Sequence, residues 1–500
     1  MLLWFVILYL MVSVGIGLLA ATRVHNAKDF AVAGRSLPLP VVMATVFATW
    51  FGAEAVFGVS ATFVKDGLGG VVADPFGSSM CLIIAGVLFS RYLYKLNILT
   101  LGDFYRMRYN RTVEVITTLC IVASYLGWVA AQIKALGLIF FVVTDGAITQ
   151  SAGMVLGAAI VLTYTTFGGM FSVAILDFVQ MAVSMGGLLF IAWIVSGKVD
   201  GGSGAVIASA SAAGKLDFFP EPDPLKWITF IGAWVTMMLG SIPQQDVFQR
   251  VTSAKSAKIA LGGSILGASI YFCFTFVPMF IAYSATLIDP AMFGALLEQD
   301  SQLVLPTLVL QHTPLVAQVL FFGAVLSAIM SCSSATLLAP SVTFAENVIR
   351  GFYPNMGDHR FLWVMRGCVI AFACLVLLFA LNSESSIFKM VENAYKVTLA
   401  GAFVPLVAGI LWKRATTQGA LAATFGGLLS WLMIEVLIGE ESPVPPQLIG
   451  LAVSALGMVA GSLLPQWVGH RLPHHELHEL MHHQAAAETH HVAEQPHHHS

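Results

Sequence analysis

Three ionisable side chains lie within stretches of this sequence that are otherwise strongly apolar: Asp177, Glu54 and Lys134. Asp177 follows the pair Gly168 and Gly169, which permits a tight turn and a close approach of helices. Because two long apolar runs flank this segment, we expect Asp177 near a membrane boundary between two spans. An ionisable group in such a position is costly to bury and is a functional candidate by default. Its carboxylate is therefore a candidate for coupling to a cation.

The composition is that of a membrane protein. Hydrophobic residues make up 57% of the chain, charged residues only 10%, and the mean hydropathy is +0.83. Soluble globular chains hold about 25% charged residues. The net charge of −3, without a basic stripe, argues against a nucleic-acid partner. Six cysteines lie in apolar segments without metal-type spacing, so we expect no disulfide framework.

Thirteen apolar stretches are long enough to be transmembrane helices. The first has no basic segment before it, which indicates a retained span and not a cleaved signal peptide. Lys and Arg collect in every second loop if the loop with Arg23, Lys28 and Arg35 is cytoplasmic, which predicts the N-terminus outside and the C-terminus inside. The stretches cover residues 2–21, 40–64, 71–94, 113–143, 147–166, 170–197, 225–248, 259–287, 313–347, 362–381, 391–412, 415–438 and 446–467.

The second and the seventh stretches are interrupted by glycine, proline and polar residues, at 49–54 and at 240–246. Unwound backbone is tolerated in a membrane where it lines a cavity. Broken helices at matching positions of two halves indicate inverted repeats with a binding site near the midplane. Ordinary kinks are the alternative, because Gly and Pro are common in membrane helices. We expect one transmembrane domain over 1–467, made of an extra helix within 1–25, a first repeat over 40–197, a second over 225–412 and two extra helices over 415–467.

Several motifs resemble those of the sodium/solute symporter family. They are the Gly168–Gln180 stretch around Asp177, Gly34-Arg35-Ser36-Leu37 ahead of the first interruption, and Leu326–Ser331 in the ninth span. Over about 26–414 the sequence is similar to the high-affinity choline transporter branch. That similarity rests on Thr49-Trp50-Phe51-Gly52, Pro75-Phe76-Gly77, Trp128 with Ala135-Leu136-Gly137, and Ile242-Pro243 with Phe248-Gln249-Arg250. Together these motifs are specific for the family and much weaker evidence for a substrate.

The resemblance implies an all-α polytopic membrane protein with a leucine-transporter-type fold, in which five helices recur inverted as the next five. It also implies a sodium site made of the carbonyl oxygens of Ala48, Phe51 and Ala328 and the hydroxyl of Ser331. Oxygen ligands of this kind suit a hard cation. The family usually has a second Ser or Thr after Ser331, where this chain has Cys332, whose soft thiol matches sodium poorly.

The resemblance further implies a pocket for the solute. Trp50 and Trp128 occupy two positions of an aromatic cage, the arrangement that attracts a quaternary ammonium group to ring faces. Gln244 and Ser78 stand where the choline branch has further rings. We interpret the incomplete cage as evidence against choline itself and in favour of a smaller or more polar solute.

Two charges within the spans bear on the nature of that solute. Glu54 belongs to the first broken helix, and Lys134 lies on the fourth span, to the side of the face that holds Trp128. A lysine at that depth costs about 2.5–3.5 kcal/mol, so we predict that both charges face the central cavity and that Lys134 binds a substrate carboxylate. The alternative is that Lys134 snorkels outward or pairs with a structural carboxylate. Asp246 and Arg250, one helical turn apart, are expected to form an intrahelical ion pair.

The leading interpretation is a secondary symporter of the inner (cell) membrane. We expect it to import a small organic solute (amino acid-like, carboxylate or quaternary amine) by alternating access, driven by an inward sodium gradient. Proton coupling and a transporter-like receptor are the alternatives. No motif predicts an enzyme, and we expect Na+ as the coupling ion and no cofactor. The histidine-rich tail over 468–500 is expected to be a disordered cytoplasmic segment that binds transition metals weakly at most.

Overall fold

The computed structural model describes residues 1–469 and is built of helices. The histidine-rich tail from residue 470 lies outside the described residues, and its assignment stays a prediction. Within residues 1–469 no β-strand is present, and an isolated backbone bridge joins Leu37 to Ala254. Apart from short single turns, the helices are α1 Leu2–Ala21, α2 Ala27–Val32, α3 Leu39–Trp50, α4 Glu54–Asp66, α5 Leu68–Leu96, α6 Leu101–Arg108, α7 Arg111–Val143, α8 Gln150–Ser196, α9 Gly202–Ala212, α10 Pro224–Gly240, α11 Gln245–Thr252, α12 Ala257–Ile288, α13 Pro290–Asp300, α14 Val304–His312, α15 Leu315–Phe352, α16 Asp358–Asn382, α17 Ile387–Gly401, α18 Phe403–Leu411, α19 Thr417–Leu437 and α20 Pro446–Leu463.

Nine helices in the described part of the chain are long and apolar enough to cross a membrane, and three bent helix pairs bring the number to twelve. Helix α8 holds 47 residues. It would be about 70 Å long if straight, more than twice the ~30 Å hydrocarbon thickness of a bilayer. If α8 crosses the membrane twice, the described residues hold thirteen spans. The count of thirteen and the orientation of the termini stay predictions.

Helix α8 changes direction at Gly169, where the backbone leaves the helical conformation with φ 49° and ψ −139°. A β-carbon at this position would lie 2.5 Å from the ring and the carbonyl oxygen of Phe30 on α2. Both the positive φ and this close approach require glycine. The Gly168–Gly169 pair therefore provides the turn that the sequence predicts.

Both interruptions expected from the sequence are present. Helices α3 and α4 meet at 56°, and α10 and α11 meet at 47°. A third pair, α17 and α18, is bent by 48° around Ala402, which the sequence analysis did not anticipate. Pro405 has no N–H to donate to the carbonyl of Gly401, and the hydroxyl of Thr424 donates to that carbonyl at 2.9 Å. The division into two inverted repeats stays a prediction.

Helix α15 forms the centre of the molecule. Every residue from Ala324 to Thr343 is buried, and α3, α7 and α8 pack against this helix. Large apolar side chains are exposed at the periphery, among them Trp4, Leu8 and Trp193, as in a protein whose outer surface contacts lipid. The arrangement brings the broken helix α3–α4 against the most buried helix of the chain.

Candidate functional site

The break between α3 and α4 is stabilised by side chains from two other helices. At Phe51 the backbone leaves the helix with φ −81° and ψ 79°, and the next free amide, that of Ala53, donates to Gln132 Oε1 on α7 at 2.8 Å. A β-carbon at Gly52 would lie 2.6 Å from Cβ of Cys332 on α15. Unwound backbone at a helix break is satisfied in this way when it lines a site within a membrane.

Oxygen atoms from three helices converge beside this break. The Ser331 hydroxyl on α15 lies 3.3 Å from the carbonyl oxygen of Ala48 on α3 and donates a hydrogen bond to the Asp177 carboxylate. The Thr45 hydroxyl on α3 donates to the second oxygen of the same carboxylate. A buried carboxylate with two hydroxyls and a carbonyl is an all-oxygen ligand set for a small hard cation.

Asp177 lies deeper in the fold than the sequence predicts. We expected it near a boundary between two spans, but it is eight residues beyond Gly169 within α8 and is fully buried against α3 and α15. Ala328, one turn before Cys332, is also buried, and Cys332 packs against the break at Gly52. The structure therefore joins Asp177 directly to Ser331 of the expected cation site, and through the Ser331 hydroxyl to the Ala48 carbonyl.

A cluster of aromatic rings surrounds Trp50, the last residue of α3 before the break. The ring centroids of Trp50 on α3 and Trp128 on α7 are 5.8 Å apart with an interplanar angle of 88°. Tyr395 on α17 lies 6.1 Å from Trp50 and 5.5 Å from Trp128. Tyr125 stacks on Trp128 at 5.8 Å. These four rings come from three helices, and we refer to them as the ring cluster.

Asp246, in the first turn of α11, is buried next to the ring cluster. Its carboxylate accepts hydrogen bonds from the indole N–H of Trp50, at 3.0 Å, and from the hydroxyl of Tyr125. The Tyr125 oxygen in turn accepts a hydrogen bond from the backbone N–H of Asp246 at 2.8 Å. The sequence pattern suggested an ion pair with Arg250, but the Nε–H of Arg250 donates to the Thr49 hydroxyl at 2.7 Å. The Asp246 carboxylate is thus oriented by Trp50 and Tyr125 and not by Arg250.

Gln244 is buried at the break between α10 and α11, close to the ring cluster. Its side-chain N–H group donates to Ser124 Oγ at 3.0 Å on α7 and to Thr398 Oγ1 at 3.3 Å on α17. Ser78 lies elsewhere, on α5, where its hydroxyl donates to Asp74 at 2.6 Å. Glu54 is buried at the start of α4, within electrostatic range of that same Asp74. The residues expected in one solute pocket therefore fall into two groups.

The position of the Lys134 ammonium does not agree with the expectation that Lys134 anchors a substrate carboxylate. The Lys134 ammonium donates to the carbonyl oxygens of Ser383 and Ser385, each at 2.9 Å. These carbonyls lie before the start of α17, more than two turns ahead of Tyr395. The long stem of lysine carries its charge away from the buried face of the helix, which is the snorkelling alternative. Lys134 is therefore outside the ring cluster.

Sequence reasoning missed three residues of the site: Thr45, Asp246 as a partner of the rings, and Tyr395. A signal existed for Thr45, because it lies four residues before Thr49 and both hydroxyls share a face of the broken helix. Tyr395 carries no such signal. It joins the rings only because α17 packs beside α7.

Comparison with known proteins places the chain in a family. The sequence pattern of the sodium:solute symporter family matches residues 30–427. This chain belongs to the sodium:solute symporter family. The human high affinity choline transporter 1 is 26% identical over 461 residues, which cover 87% of this chain and 76% of the relative. The sodium/proline symporter of Haemophilus influenzae is 26% identical, with 90% and 92% of the two chains covered.

The fold agrees with that membership. A Na+-coupled sialic acid symporter in a substrate-bound, outward-open state superimposes with a TM-score of 0.79 at 19% identity, covering 94% of this chain and 99% of that one. The fold is thus of the leucine-transporter type, as the sequence predicts. The protein is a multi-pass membrane symporter that couples Na+ to the transport of a small solute.

Proposed function

We propose that this symporter takes up a small organic ammonium compound together with Na+ across the inner (cell) membrane. The observation that carries the proposal is the Asp246 carboxylate set among the rings of Trp50, Trp128 and Tyr395. Ring faces attract organic cations, by about 2 kcal/mol or more where water is excluded. A buried carboxylate beside them attracts positive charge, and an ammonium group of the solute would add to the charge that Arg250 supplies from the next turn of α11.

The surrounding charges favour a cation over the carboxylate solute suggested by Lys134. Tyr395 and Cys332 lie within electrostatic range of both Asp246 and Glu54. With Arg250, these two carboxylates leave a formal charge of −1 when both are ionised (−2 from the acids and +1 from the guanidinium) and of zero when Glu54 is protonated. The ammonium of Lys134 is held by carbonyl groups ahead of α17. An anionic solute would therefore meet a site without net positive charge.

Tyr395 also removes the argument against a quaternary ammonium. The sequence predicts an incomplete cage because Gln244 and Ser78 replace aromatic residues of the choline branch. Tyr395 supplies a third ring within 6.1 Å of Trp50, and Gln244 supplies polar groups beside it. The named activity of the relatives, high-affinity choline transport, supports an ammonium solute of this size.

We infer that Na+ binds beside the break, on the oxygens of Ala48, Thr45, Asp177 and Ser331. The carbonyl oxygens of Phe51 and Ala328 complete this proposal as further ligands, and Cys332 packs the adjacent backbone instead of binding the ion. The Asp177 carboxylate supplies a full negative charge, which the carbonyls expected from the sequence do not. Sodium and solute would thus both bind to the last turns of the same broken helix, a basis for coupling.

Uptake by purified protein in proteoliposomes tests this function. Choline, ethanolamine, proline and propionate would be supplied separately, under an imposed Na+ gradient, a proton gradient or neither. We expect Na+-driven accumulation of one of the two ammonium compounds, and its loss in Asp246→Asn but not in Asp217→Asn, an exposed carboxylate. Na+-driven uptake of proline or propionate alone would reject a purely cationic solute, because both carry a carboxylate, and uptake driven only by protons would reject the Na+ site.

A further inference from the structure

A second pair of buried acids lies outside the Na+ ligands and within electrostatic range of the ring cluster. Asp74 on α5 is fully buried. Its Oδ1 atom accepts hydrogen bonds from Ser78 on the same helix and from Tyr271 on α12, both at 2.6 Å. Its Oδ2 atom is buried and receives no hydrogen bond from the residues of the described chain. Half of this carboxylate is therefore unsatisfied.

Glu54 faces the same region from α4 and is only 4% exposed. Its electrostatic neighbours are two further carboxylates, Asp74 and Glu392. Within residues 1–469, no hydrogen bond or ion pair to its side chain is present. An anion buried in this way without a partner costs many kcal/mol and is normally neutralised by a proton.

The other groups facing this region do not supply the missing positive charge. Tyr271 on α12, Tyr395 on α17 and Cys332 on α15 are each within electrostatic range of Glu54 and are neutral. The nearby lysines, Lys389 and Lys396, act on Glu392, and Lys396 forms an ion pair with Glu435 at 3.6 Å.

Unpaired polar atoms next to Glu54 point independently to an unfilled polar site. The side-chain nitrogen of Gln132 is buried and has no acceptor among the described residues, although its oxygen binds the amide of Ala53, the residue before Glu54. The buried hydroxyl of Tyr395 is likewise unpaired there. Buried polar groups without partners are rare and need an explanation.

We propose that Glu54 and Asp74 together bind one exchangeable proton, and that this proton weakens the binding of the cationic solute at the ring cluster. Two acids in a shared apolar site commonly hold one proton between them, because both cannot be ionised there at low cost. When the solute cation binds near Glu54, the proton is released to water on the side to which the site is open. The effect of the proton on solute binding rests on the proposed function, whereas the binding of the proton by Glu54 and Asp74 does not.

Infrared difference spectroscopy tests the proton without any solute. A protonated carboxyl group has a carbonyl-stretch band that a carboxylate lacks. In Na+-free buffer near neutral pH, we expect the double variant Glu54→Gln/Asp74→Asn to lose one such band relative to the unchanged protein, and Asp66→Asn, an exposed carboxylate on α4, to keep it. An unchanged band in the double variant would overturn the proposal, as would a band that disappears on adding Na+ at constant pH.

Uptake tests the link to the solute. For an ammonium compound that the protein transports, the apparent KM should fall as pH rises, by at most tenfold per pH unit for one linked proton. In Glu54→Gln we expect this pH dependence to flatten to about twofold, whereas Asp66→Asn retains it. If the double variant Glu54→Gln/Asp74→Asn does not fold, the pH dependence of uptake in Glu54→Gln tests the proposal by itself. A pH dependence that survives Glu54→Gln would overturn the link, while the Na+-driven uptake itself reports on the proposed function.

Discussion

The Asp177 carboxylate receives hydroxyl groups from two different helices, Thr45 on α3 and Ser331 on α15. A hydroxyl can donate to a carboxylate or offer its lone pairs to a cation. Both hydroxyls can therefore turn from Asp177 to a bound Na+ without a change of fold. At the scale of single residues, Ser331 is the most direct test of the Na+ site, because it touches both Asp177 and the Ala48 carbonyl.

Replacing Ser331 by alanine should raise the Na+ concentration for half-maximal uptake about tenfold or more. The reason is that a hydrogen bond to a charged group contributes about 1.5–3 kcal/mol. Ser333→Ala is the matched control, since the Ser333 hydroxyl bonds only to the Ile329 carbonyl of its own helix. Na+ titrations of uptake at saturating solute would compare the two, and an equal effect would remove Ser331 from the site.

The ring of Tyr395 should matter to the solute more than its hydroxyl does. Its hydroxyl is unpaired within the described residues, so Tyr395→Phe should change the KM for an ammonium compound by no more than about twofold. Tyr395→Leu removes the ring face and should raise that KM by about 3- to 30-fold, the range of a cation–π contact. A loss of uptake in Tyr395→Phe equal to that in Tyr395→Leu would contradict a cation–π role.

Side-chain positions were predictable from the sequence only where a motif fixed them. The Ser331 hydroxyl lies next to the Ala48 carbonyl, as the family pattern implies. Lys134 was misplaced, because its position on α7 does not reveal where a four-carbon stem carries the charge. Tyr395 could not be found at all, since its contact with Trp50 depends on the packing of α17 against helices far away in the chain.

Among the helices, the break between α3 and α4 is held by side chains from two other helices. Gln132 on α7 accepts a hydrogen bond from the amide of Ala53, and Cys332 on α15 fills the space beside Gly52. The backbone at Gly52 does not have a positive φ. Glycine is needed at this position for the close approach of α15 and not for an unusual backbone conformation.

Gly52→Ala should therefore abolish or strongly reduce uptake, because the new methyl would lie 2.6 Å from Cβ of Cys332. The double variant Gly52→Ala/Cys332→Gly should recover part of the uptake, since it removes one of the two clashing side chains and leaves Gln132 Oε1, 2.7 Å from the added methyl. Gly323→Ala on α15, where nothing lies within 4 Å of the added methyl, is the control. Uptake and thermal stability in detergent would be measured together. Full activity of Gly52→Ala would show that the break can move apart.

The ends of the long apolar helices followed from the sequence to within a few residues, because apolar length and polar breaks determine them, whereas the shorter helices α2, α6, α9, α13 and α14 were not predicted. The bend at Ala402 was missed although Pro405 marks it. Proline is common in membrane helices, so its presence alone did not distinguish a bend from a straight helix. The Thr424 hydroxyl that replaces the missing donor comes from α19 and becomes visible only in the folded chain.

For the whole molecule, the distribution of Lys and Arg predicts which loops face the cytoplasm. The loop after α8 should be outside and the loop before α16 inside. A membrane-impermeant thiol reagent applied to intact cells should then label Ser203→Cys but not Asn355→Cys, both at exposed positions. The exposed Cys273 and Cys374 would first be replaced by serine. The reverse labelling would invert the orientation and place the solute entry on the other face.

The bridge between Leu37 and the segment after α11 has a mechanical consequence. The Leu37 amide donates to the Ser253 carbonyl at 3.0 Å, and the Lys255 amide donates to the Leu37 carbonyl at 2.9 Å. These bonds, each contributing about 1 kcal/mol, clasp the start of α3 to the end of α11. The two half-helices should then swing as a single lever during the transport cycle. The distance between spin labels at Ser36 and Lys255 should be the same with and without Na+. The distance between labels at Lys255 and Arg360 should change, and it measures how far the two half-helices move together.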